Sequence, residues 1–204
     1  MCGAEQKNQH LFYHLEYYPP LQQIYYELIG PEPTRCTNCG YISNPISERP
    51  GRVTREWLQS KEYLDNDGID FKNHYADLYY KEYKIQLLNR RFWGAFEAIF
   101  KTGLFCFDEQ DFENATWCSF LALSIFDKFK RGKYIEQETI QLMRAGLLRR
   151  TGQFTRLLNE YSDCTFKKNM NNRYLALLLE KAEKKDAANI SDAELHEVLR
   201  WFEF

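Results

Sequence analysis

The chain has 204 residues, room for one generous domain or a domain with a small appended module. Hydrophobic residues make up 44% and charged residues 27%, a globular balance that excludes a disordered tail and a collagen-like repeat. No apolar run approaches the roughly 18 residues of a membrane span. With 27 basic residues against 29 acidic ones, the net charge of −2 disfavours a partner held through many phosphates.

At the start, Met1-Cys2-Gly3-Ala4-Glu5-Gln6-Lys7 lacks the apolar core of a secretory signal. Six irregularly spaced cysteines do not form a disulfide framework, so a cytoplasmic protein is expected. Cys2, with Met1 removed, is a candidate N-terminal nucleophile, in the manner of enzymes that resemble glutamine amidotransferases. Such a cysteine opens a buried apolar strand, whereas Glu5-Gln6-Lys7-Asn8-Gln9 follows here. An exposed terminus or a metal ligand fits Cys2 better.

All six prolines fall within the first 50 residues. Proline costs about 3 kcal/mol inside a helix, so this partition predicts an irregular part over 1–50 and a helical body over 51–204. In the first part, 21–29 carries a short helical pattern stopped by Gly30-Pro31. Thr54 to Leu64 reads as one short helix, with Thr54 as N-cap and Trp57, Leu58 and Leu64 facing inward. Asp65-Asn66-Asp67-Gly68 is a turn; later calcium-ligand spacing is missing. Further helices are predicted over 71–89, 92–108, 112–130, 135–151, 154–161, 168–185 and 191–202. Ser191 and Glu194 form a capping box for the last. The fold class is mostly α, an irregular knuckle part packed on antiparallel helical hairpins.

Two of those hairpins share a pattern. Gly103, Ala115 and Ala122 occupy the spacing at which tetratricopeptide units place small residues, and Phe107 to Ala115 is similar to their turn. Ala145, Gly152, Phe154 and Leu157 form a weaker copy. The copies are offset by 42 residues, Gly103 to Ala145, against a usual period of about 34. Stacked hairpins would leave a concave face for a protein partner; an ordinary bundle offers no such site.

Arg35-Cys36-Thr37-Asn38-Cys39-Gly40-Tyr41 is the sharpest motif. Two thiolates separated by two residues hold one edge of a zinc site, and the glycine permits the tight turn. A redox pair needs a helix starting at the first cysteine, and the surrounding prolines and glycine do not supply one. A closed zinc site takes four ligands, and His10 and His14, four residues apart, are the best candidates to join Cys36 and Cys39. Cys2 is a third candidate. Two solvent-facing cysteines, or a degenerate knuckle that has lost its metal, are the competing readings.

This CxxCGY knuckle, followed by a tetratricopeptide-like tail, resembles an uncharacterised bacterial family with zinc-ribbon N-termini, most closely over 95–129. The resemblance implies an intracellular bacterial or phage protein and brings no activity. Family members carry more than one CxxC; this chain has a single one.

Arg144, Arg149, Arg150 and Arg156 surround the Thr151-Gly152 turn and are candidate partner-binding residues. They would suit a carboxylate or phosphate, although such charges also complement helix C-termini. No HExxH, glycine-rich phosphate loop or Ser-His-Asp order occurs. The expected function is therefore a zinc-containing adaptor that binds a protein. A nucleic-acid regulator using the knuckle and the arginines is the alternative, and an N-terminal cysteine enzyme the third.

Overall fold

A computed structural model describes residues 33–43, 50–126, 128, 137–188 and 190. Its elements are β1 (Thr34–Arg35), β2 (Ile42–Ser43), α1 (Arg55–Leu58), α2 (Lys61–Leu64), α3 (His74–Leu88), α4 (Phe92–Asp108), α5 (Phe112–Phe126), α6 (Gln137–Arg150), α7 (Phe154–Tyr161) and α8 (Asn169–Glu183). The protein is mostly α-helical, and no helix among the described residues is long and apolar enough to cross a membrane. The expected helices over 21–29 and 191–202 lie outside the described residues.

The helix expected over 54–64 is two helices. Thr54 caps the first, its side chain accepting from the Trp57 N–H. Ser60 then accepts from the Tyr63 N–H and starts another helix. The break changes the helical phase. Tyr63, at 1% exposure, takes the inward position, and Leu64, expected inside, is 52% exposed.

Three helix joints among the described residues share one device. Arg90, Gln110 and Gly152 each adopt positive φ just after a helix. The N–H of the next residue then reaches back five positions: Arg91 to Gln86 O (2.9 Å), Asp111 to Cys106 O (2.8 Å) and Gln153 to Leu148 O (2.8 Å). These are Schellman ends, and a phenylalanine opens the following helix each time: Phe92, Phe112 and Phe154. The geometry is shared by the two copies seen in sequence. It also occurs at Arg90, outside those copies.

The chain forms two compact units, which divide between Lys130 and Arg131. In the first unit, Cys36, Tyr41 and Ile42 share a buried cluster with Leu58, Tyr63, Leu78 and Ile85, so the hairpin β1–β2 and helices α1–α3 have one core. Asn89 fastens the junction at Pro50-Gly51. Its side chain accepts from the Arg52 N–H at 2.7 Å and donates to Pro50 O at 3.0 Å. Proline content marks where helices can begin; burial decides what they pack on.

Antiparallel α4 and α5 approach closely at Gly103, where a Cβ would sit 3.1 Å from that of Cys118. Much of the aromatic excess fills this unit. Phe105 contacts the rings of Tyr75 and Tyr79, and fully buried Phe96 meets Phe126 edge-on.

The turn at 65–68 is closed by lysines. Lys81 donates to Tyr63 O (2.8 Å) and Leu64 O (2.6 Å), and Lys84 stands 3.2 Å from the Asp67 carboxylate. Tyr80 donates to the same carboxylate. Asp67 and Gly68 take positive φ, so the segment is a turn, as expected.

In the second unit, α6, α7 and α8 pack on one another around Leu147, Leu148, Leu157 and Leu178, each at most 1% exposed. Lys168, the cap residue of α8, makes no side-chain cap bond. Glu138 of α6 supplies the acceptor instead, taking the N–H groups of Lys167 (2.7 Å) and Lys168 (3.4 Å) and the Asn171 amide (2.7 Å).

Candidate metal-binding knuckle

The CxxCG segment is the tip of a tight antiparallel hairpin. Thr34 pairs with Ser43 and Arg35 with Ile42. Beyond the strands, the Cys36 N–H donates to Tyr41 O and the Gly40 N–H to Cys36 O, both at 2.8 Å. Closing the chain so sharply requires φ of +76° at Gly40, a region that glycine enters without steric cost. Thr37 and Asn38 are exposed at the tip, Cys39 is half-buried and Cys36 is 4% exposed. A strand leads into Cys36 and a turn leaves it, so no helix dipole is available to activate a redox thiolate.

The hairpin is held from below by Tyr63, whose hydroxyl donates to Gly40 O at 2.8 Å. Burial pushes the Tyr63 phenol well above its ordinary range, so it stays a proton donor at any physiological pH. Its ring also meets Trp57 at 4.9 Å between centroids. Nothing in the sequence singles out Tyr63. It lies 23 residues from Gly40, and no local pattern announces such a bond. Beside the knuckle is a cavity of about 300 Å³, with Cys39, Tyr41, Val53, Thr54, Arg55 and Leu58 in its wall.

Cys36 and Cys39 are the two residues of the segment whose side chains are of zinc-ligand type. Among the described residues no group of three or more histidine, cysteine or acidic side chains could hold a metal. His10, His14 and Cys2, the candidates to complete the site, lie outside the described residues.

The arginines of the second unit do not form one exposed cluster. Arg149 is 1% exposed, and its guanidinium donates to the carbonyls of Asp186 (3.1 Å) and Ala188. Arg144 pairs with Glu160 and reaches the Tyr161 hydroxyl at 3.4 Å. Arg156 shares Glu160 through Nε at 2.7 Å. The bond from Arg144, joined by that from Arg156, holds the Glu160 carboxyl below its ordinary range. Arg150 is half-buried at the end of α6. Sequence spacing groups these side chains around a turn. Packing sends one of them into the interior and commits two to a single carboxylate.

No family model, curated protein or solved structure matches this chain.

Proposed function

We propose that this protein is an interaction module in which Cys36 and Cys39 carry a structural zinc ion and the helical surface binds a protein partner. The observation behind the metal is the hairpin itself: a CxxCG turn closed by two 2.8 Å backbone bonds and roped to the helical core through Tyr63. A metal at such a tip, with Cys36 in the core cluster, serves stability, since zinc affinity and folding draw on one free energy. His10 and His14 are the proposed remaining ligands, and the cysteine usage suits a reducing, cytoplasmic setting.

Partner binding is supported by Phe112 and Phe120 on α5, which are 54% and 48% exposed. The arginine route to nucleic acid finds less support, because Arg149 is buried and Arg144 and Arg156 are engaged by Glu160. The deciding experiment is metal content in protein purified without a metal-binding tag, beside Cys36→Ser. One zinc per chain, lost in the variant together with thermal stability, supports the reading. Absence of zinc in a folded wild-type chain overturns it.

A further inference from the structure

We propose that Cys106 and Cys118 form a modification site at which a small two-electron oxidant of the diazene or peroxide class joins them in a disulfide, stapling α4 to α5. The two thiols are 2% and 0% exposed and lie on facing helices. At Gly103 the missing side chain lets α4 come so close that a Cβ there would stand 3.1 Å from the Cys118 Cβ. Cys106 is three residues further along α4 and therefore on the same face. It packs with Ala115, which is three residues before Cys118 on α5. The small residues Gly103 and Ala115 thus bring the two sulfur-bearing positions together diagonally across one seam.

The seam also disfavours the Cys118 thiolate in the closed hairpin. Interaction with Cys106, and then burial, push the Cys118 thiol far above its ordinary range, so almost no thiolate is present at neutral pH. Reaction waits for transient separation of the helices. One sulfur then attacks the oxidant, and the other displaces it to form the S–S bond. With a diazene, the two thiol protons and two electrons reduce N=N to the hydrazine; with hydrogen peroxide, its oxygens leave as two waters. The Schellman turn between the helices already holds the ends of the loop in register, so closure does not demand a new path for the chain.

The test is treatment of the full-length protein with diamide, followed by alkylation and digestion ahead of Asp108 and Asp111. The Cys106 and Cys118 peptides are expected to remain joined until reduced, with about 2 Da lost from the linked species. Linkage is expected to be slow at pH 7, faster at higher pH, and to raise the thermal midpoint reversibly. Cys118→Ala, a small substitution beside Gly103, should fold and lose the midpoint shift. Joining of Cys36 to Cys39 alone, with Cys106 and Cys118 recovered as alkylated thiols after denaturation, overturns the proposal. A Cys106–Cys118 bond that lowers the midpoint also overturns it, because the seam would then not accommodate a staple.

Discussion

In sequence, the knuckle of the first unit and the arginine group around Gly152 are alike, each a dense run of functional side chains about a glycine turn. They fold in opposite senses. At the knuckle, the backbone closes around the motif and leaves Thr37, Asn38 and Cys39 towards the surface. Around Gly152, Arg149 turns inward to the carbonyls of Asp186 and Ala188, while Arg144 and the exposed Arg156 share the Glu160 carboxylate. The short hairpin buries Cys36 in the core cluster and leaves Thr37 and Asn38 exposed, whereas on a helix every third or fourth position faces a neighbour. Functional side-chain types near a turn are therefore not a site until packing has dealt with each of them.

The comparison breaks most readily at Arg149. Arg149→Leu should lower the stability of the second unit by about 3 kcal/mol in urea unfolding, because charged donors are removed from buried carbonyls. An unchanged midpoint would make Arg149 a ligand-binding candidate again. Gly103→Ala is next: a Cβ inserted 3.1 Å from Cys118 should cost about 1–3 kcal/mol of first-unit stability. Thermal unfolding followed by the nearby tryptophans would detect it.

Tyr63→Phe sharpens the contrast at the knuckle. Loss of the hydroxyl bond to Gly40 should cost about 1 kcal/mol and loosen any metal held at the tip, read as faster zinc release to a chelator. The smallest effect belongs to Glu138. The backbone bond from Lys167, with help from Asn171 and Lys168, lowers its folded pKa below the ordinary 4.5. Its stabilisation is thus present above pH 4.5 and lost as pH falls through the folded value. Glu138→Gln should flatten that acid limb in a pH series of unfolding midpoints while leaving the first unit unaffected.

Much of the local structure is legible in the residues. The spans of α4 and α7 agree with the sequence pattern at both ends, since Phe92 and Phe154 follow turn residues and each pattern has a clear stop. The single helix expected over 54–64 fails because Ser60 is an ordinary polar residue until its hydroxyl caps Tyr63. At the candidate site, Cys36, Cys39 and Gly40 are visible as a motif, while the Tyr63 clamp is not. Glu138 as a cap for α8 is equally hidden, being 29 residues from the N–H it accepts.

Sequence by itself determined the mostly helical class, the proline-rich opening and the turn at 65–68, because propensity and punctuation act over a few residues. Tertiary structure alone decided that the knuckle shares a core with α1–α3, that the units part after Lys130, and that Arg149 is interior. Those outcomes depend on which distant groups compete for burial and hydrogen bonds, and that competition is settled only when the helices meet.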